Sequence, residues 1–172
     1  MKNPQSQAEE LSKVFPNEKL NNIAKYGCCA FVLIWCLGLD PSDIDAILLV
    51  ERMIDKKVID KDCTVNWDKA VKYLSGRLLK SVEFRDITVI KGIKERTPVR
   101  YDFNGKSHWV GVENGEIKFN SLINSVCVNK GRPVTARILT LNIEKNMTFL
   151  LLKKKVYDII YNTMWEFMSY RM

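Results

Sequence analysis

A single histidine, His108, occurs in the 172 residues, and the five cysteines form no C-x-x-C pair. A zinc site needs a denser set of imidazoles and thiolates, so no metal is expected. The longest apolar runs are about a dozen residues, short of the roughly 20 that a helix needs to cross a bilayer. Met1 to Glu10 is polar and carries no apolar stretch of the secretory kind. Asp60-Lys61-Asp62 begins like a calcium loop but lacks that motif's glycine and closing glutamate, so it reads as a turn. Internal repeats, low-complexity tracts and linkers are also missing. Together these absences favour one domain with free thiols in a reducing cytoplasm, with no cofactor and no membrane span.

Hydrophobic residues make up 47% of the chain, enough to bury a sizeable core. The formal charge of +7 is spread along the chain, with Lys153-Lys154-Lys155 as the only dense basic run. That pattern gives nucleic-acid binding little support.

The most informative stretch is Lys25 to Gly38. It contains Cys28-Cys29-Ala30-Phe31-Val32-Leu33-Ile34-Trp35-Cys36-Leu37 behind Gly27. A run apolar on every side predicts a short helix inside the domain. Cys28 stands at its N-terminus, where free N–H groups and the helix dipole favour a thiolate. The plainer reading is a buried helix that uses cysteine as a small hydrophobe.

Before this helix, 5–15 reads as an amphipathic helix with Ala8, Leu11, Val14 and Phe15 on one side, stopped by Pro16. Asn17 to Lys25 reads as a polar connection. After Gly38, Asp40 is expected to cap a helix that starts with Pro41 and carries Ile44, Ile47, Leu48, Val50, Met53 and Ile54. Asn66 caps another, Trp67 to Leu74, ended by Gly76. From Ser81 the periodicity turns to strand: Asp86–Ile90, Val99–Phe103, His108–Val112, Glu116–Phe119 and Val134–Ile143. Asn104-Gly105 and Asn114-Gly115 are tight-turn signals. The tail, 147–172, reads as a helix with Leu150, Val156, Ile159, Ile160, Met164, Trp165 and Met168 on its apolar stripe. Helices followed by an antiparallel sheet predict an α+β domain. Its helical half spans about 5–80, its sheet half about 81–145, and a terminal helix follows.

Cys28 at a helix start, His108 at a strand start and Asn120 at the end of the next strand stand in the chain order of a thiol hydrolase. Imidazole withdraws the thiol proton there, and an amide orients the imidazole. A clean two-residue turn at Asn114-Gly115 pairs Val112 with Ile117, Val110 with Phe119 and His108 with Ser121. That register turns Asn120 to the opposite face. Asn120 reaches His108 only if a bulge or bend lies near Phe119; otherwise Ser121 or a carbonyl serves.

The blocks Tyr26-Gly27-Cys28, Ser107-His108-Trp109-Val110 and Phe119-Asn120-Ser121 resemble the papain-like fold, above all the bacteriocin-leader-processing cysteine peptidases. The resemblance runs from about Asn22 to Leu139. It implies Cys28 as nucleophile, His108 as general base and Asn120 as the orienting residue. The oxyanion-stabilising glutamine of that family falls at Asn22, six positions before the cysteine, with the same amide on a shorter arm. The chain also resembles a family of plasmid-encoded Borrelia proteins, which implies a mobile-element origin and no particular activity. The expected function is a cysteine peptidase or amidase acting on a peptide or protein. The alternative is an inactive papain-like domain used as a binding or interaction module. A third reading makes the basic, aromatic tail a nucleic-acid or membrane-surface contact.

Overall fold

The computed structural model describes residues 1–142. The tail helix expected over 147–172, with its basic run, lies outside the described residues. Five helices lead: α1 (Pro4–Val14), α2 (Glu18–Tyr26), α3 (Cys28–Cys36), α4 (Asp43–Asp55) and α5 (Trp67–Ser75). A five-stranded sheet follows, from β1 (Leu79–Asp86), β2 (Thr97–Phe103), β3 (Lys106–Glu113), β4 (Glu116–Phe119) and β5 (Arg132–Leu141). A short helix, α6 (Val126–Lys130), precedes β5. The strand order is β1-β5-β2-β3-β4 and every described pairing is antiparallel. The domain is therefore α+β, helices first. No helix among the described residues is long and apolar enough to cross a membrane.

The α3 run fixes the centre. Ala30, Phe31, Val32, Leu33 and Ile34 have no exposed surface, so the helix has no solvated face. Gly27 is helical, with φ −68°. It therefore does not act as a turn former; a Cβ there would lie 2.6 Å from the Ile23 carbonyl oxygen and 2.9 Å from the Phe31 ring. The lack of a side chain is what lets α2 and α3 meet.

Several local expectations are corrected. Asn17 to Lys25 is α2: Asn17 caps it by accepting the Leu20 N–H at 2.8 Å, and Leu20, Ile23 and Ala24 are buried at helical spacing. In α1 the buried side holds Pro4, Gln5 and Ala8, while Val14 and Phe15 are 67% and 63% exposed. Helix α4 starts at Asp43 because the Ser42 hydroxyl accepts the Asp45 N–H at 3.1 Å and caps it, while the Asp43 carboxylate accepts the Lys2 and Asn3 amides at 2.6 and 3.0 Å. The β-branched run after Asp86 is loop, and the strand is the less regular Leu79–Asp86, which pairs with β5 along its length. The Asn66-capped α5, ended by Gly76 at φ 71°, stands as read.

Two apolar clusters lie on the two faces of the sheet. The helical one takes in Phe119 and packs against Trp109, Leu139 and Leu141. The other gathers Val99, Tyr101, Val110, Val112, Cys127 and Ala136. Strand β3 approaches α3 through Gly111, where a Cβ would lie 2.5 Å from the Trp35 ring. Trp35 fills that space and stacks on Phe119, with centroids 6.0 Å apart and planes 11° apart. Gly111→Ala is expected to cost about 1–3 kcal/mol through overpacking against the indole. A lowered urea midpoint with an unchanged slope is the readout.

Candidate active site

Cys28 opens α3 at the edge of the sheet. Strand β4 pairs with β3 only from Glu113 back to Gly111, so the β3 edge from Val110 towards Lys106 is open on that side. The sulfur of Cys28 lies at this edge, close enough to the backbone amides of Trp109, Cys29 and Cys28 for them to favour its anion. Trp109 and Ser107, the neighbours of His108, line the cleft with Cys28, whereas His108 itself does not. Cys63, from the helical cluster, and Cys127, from the other face, are both close enough to feel its charge.

His108 and Trp109 leave the strand on opposite faces. His108 is 4% exposed. Its Nε2 lies 2.8 Å from Asn120 Oδ1, so histidine and asparagine are joined directly. The same Oδ1 accepts the Leu122 N–H at 3.2 Å. An oxygen held by a backbone donor is the acceptor towards the ring as well, so Nε2 carries the proton. The neutral ring then keeps its lone pair on Nδ1.

The bulge that Asn120 needed is present. Val112 pairs with Ile117 but Gly111 pairs with Phe119, leaving Lys118 as the extra residue. Phe119 thereby turns to the helical cluster instead of sharing a face with Val110 and Val112, as a clean hairpin would have it. Asn120 follows on the face of His108. Ser121, the alternative partner of the ring, is buried and donates its hydroxyl to Gln5 Oε1 at 3.1 Å.

Asn22 does not join this group. Its amide donates to the Lys61 carbonyl at 3.1 Å, and it lines a groove with Ile54, Asp60 and Lys61 that excludes Cys28. The physical reason is α2: Asn22 sits on a helix that ends before Cys28 and presents its amide to Lys61, where a turn folding back over the sulfur would be needed to bring it near. The oxyanion role expected of Asn22 is therefore corrected, and the N–H groups at the start of α3 are the donors beside the sulfur.

Sequence reasoning missed Gln5. It is 3% exposed, and its Nε2 donates to the Ala24 carbonyl at 2.8 Å. In a continuous helix that carbonyl would take the Cys28 N–H. With Gln5 in its place, α2 ends at Tyr26. The Gln5 and Ser6 backbone N–H groups also donate to the Ser121 carbonyl at 3.0 and 3.2 Å. One residue thus ties the cysteine helix to the loop that holds Asn120. The available signal was a glutamine one residue after a proline at a helix start, too common to single out.

Burial dominates the electrostatics. It raises the Cys28 thiol above its ordinary 9.0, against the N–H donors that lower it. This corrects the expectation of a thiolate favoured at the helix start. Burial also lowers His108 below its ordinary 6.5, partly offset by the Asn120 hydrogen bond. Cys63 is pushed up to about 12 by burial. Thiol and imidazole are both neutral at neutral pH.

Cys28 and Cys29 line a cleft of about 580 Å³ with Tyr26, Trp67, Trp109 and Arg137. No group of His, Cys, Asp and Glu able to hold a metal occurs among the described residues. Compared with family models, with curated proteins and with solved structures, the chain matches none.

Gln5→Ala orphans the Ser121 hydroxyl and the Ala24 carbonyl and is expected to cost about 1–3 kcal/mol. Gln5→Glu, which replaces the donor facing Ala24 by a carboxylate, is expected to cost more. Thermal melts of the two variants beside the parent measure both.

Proposed function

We propose that the protein is a cysteine hydrolase of papain-like type, cleaving a peptide or amide bond through an acyl-thioester. The observation that carries this reading is the bulge-dependent Nε2–Asn120 hydrogen bond. It holds the imidazole in the tautomer whose free nitrogen is a base, one residue before Trp109, which lines the cleft with Cys28. His108 Nδ1 takes the thiol proton as Cys28 attacks the carbonyl carbon. The tetrahedral oxyanion is held by the N–H groups at the α3 start. On collapse the leaving amine takes the proton from His108; water, deprotonated by His108, then releases the acid.

Because both partners are neutral at rest, proton transfer accompanies attack and no thiolate–imidazolium pair is stored. The pH dependence follows. The base must be unprotonated, and burial lowers the His108 pKa, so kcat/KM is expected to rise with pH through a value below 6.5. It then stays level through neutrality, since the thiol ionises only above its ordinary 9.0. An acid limb above 6.5 counts against this assignment.

A second reading, a binding module without catalysis, draws on the burial of Cys28 and the diversion of Asn22 to Lys61. Thiol-directed peptide probes separate the two. Cys28→Ala is expected to abolish labelling and Cys29→Ala to preserve it. Equal labelling of the two variants removes Cys28 as nucleophile.

A further inference from the structure

Arg137 stands in the wall of the Cys28 cleft and plays no part in the chemistry above. It comes from β5, with its guanidinium carbon 3.9 Å from the Phe84 ring centroid and 5.1 Å from that of Trp109. Nη1 donates to Thr135 Oγ1 at 2.6 Å and to the Ala136 carbonyl at 3.3 Å. Aromatic faces and these two acceptors therefore fix the plane of the group. Nε is buried with no acceptor among the described residues, and no bond from Nη2 is formed among them either. Nε is sealed from solvent, so Nη2, neither bonded nor sealed, is the donor that an incoming carboxylate oxygen meets.

Other guanidiniums of the sheet have a carboxylate beside them, although Arg100 Nε, like Arg137 Nε, is buried without a hydrogen bond. Arg96 meets Glu113 at 3.3 Å, Arg100 meets Asp102 at 3.2 Å and Arg85 meets Glu83 at 2.8 Å. Arg137 has no carboxylate within ion-pair distance among the described residues; Asp86 is felt only through its field, as is the like charge of Arg100. The one acid in the cleft wall, Asp62, accepts the Thr64 N–H of its own turn at 3.0 Å. Lys25, also in the wall, adds a second positive charge. A half-desolvated cation with an unsatisfied donor is a costly thing to keep unless an anion arrives.

We propose that Arg137 is a carboxylate-binding subsite of the cleft, so that the preferred ligands are peptides bearing a carboxylate close to the bond presented to Cys28. The substrate class rests on the hydrolase reading, whereas the anion subsite does not require turnover. The carboxylate belongs either to an acidic side chain or to a peptide C-terminus, and both present the same two oxygens.

Three short peptides of one apolar sequence test this on the full chain: one with an internal glutamate and an amidated end, one neutral with a free C-terminus, and one neutral and amidated. Trp67 and Trp109 line the cleft, so quenching of tryptophan fluorescence reports occupancy. The parent is expected to bind at least one of the acidic peptides about tenfold more tightly than the neutral amide, the worth of a charge-assisted hydrogen bond. Whichever acidic peptide wins names the source. Arg137→Gln is expected to bring the ratio near one, and Arg137→Lys to keep part of it. A parent ratio near one overturns the subsite without any variant, and so does a preference that survives in a folded Arg137→Gln. Loss of Cys28 labelling with the preference intact removes the hydrolase reading alone. Labelling with no preference removes the subsite alone.

Discussion

The contact on which the site depends is Trp35 lying over Gly111 and against Phe119. An indole that large fits under β3 only where the strand has no side chain. Phe119 reaches it only by turning to the helical face, which a regular two-residue hairpin forbids. The bulge at Lys118 resolves the conflict and changes the parity of everything after it. Asn120 therefore arrives beside His108 because of a packing demand some distance from the imidazole. The ending of β4 at Phe119 has a second effect: it leaves the β3 edge beyond Gly111 unpaired where Trp109 and Cys28 line one cleft. One aromatic stack thus places the orienting amide and opens the edge that receives the thiol.

The N-terminal helix closes the arrangement from the other side. α1 buries little apolar surface of its own, chiefly Ala8, yet its first turn supplies Gln5 and Ser6 to the loop at 121–123. Ser6 Oγ accepts the Ile123 N–H at 2.8 Å, while Gln5 reaches across to Ala24. Free N–H groups at the start of a helix are obligatory orphans, and those of α1 are spent on the Ser121 carbonyl. The cost of ending the loop inside the protein is met by a helix whose main contribution is polar.

The places of Cys28 and Asn120 in the fold were legible because the sequence marks them, with a glycine before an apolar run and a strand end after Asn-Gly; His108, expected to begin its strand, is the third residue of β3. The conditional need for a bulge was legible too, from parity alone. Its cause was not, since no local pattern shows that Trp35 and Phe119 stack. Asn22 failed for a related reason. The resemblance placed it by counting six residues back from the cysteine, and the Asn17 cap makes that stretch a helix that turns the amide to Lys61. Val14 and Phe15 suited an amphipathic stripe by spacing, but Gln5 turned the helix to bury its polar first turn. Tertiary demand overrode periodicity wherever a buried polar group had to be satisfied.

Burial and reactivity pull against each other at the sulfur. A thiolate at a helix start gains from the dipole and from N–H donors, each effect falling off within the first turn. Desolvation acts on the whole charge and grows as the edge closes around it. Here desolvation wins at Cys28, and it wins at His108 in the opposite direction, lowering a cation instead of raising an anion. The two shifts have a common origin, and both oppose a stored ion pair. On the proposed hydrolase reading, charge develops only when a substrate carbonyl enters and the N–H groups of the α3 start gain an oxyanion to hold. A site built this way keeps its thiol protonated in the resting state, and its N–H donors act most strongly on the charge that forms during attack.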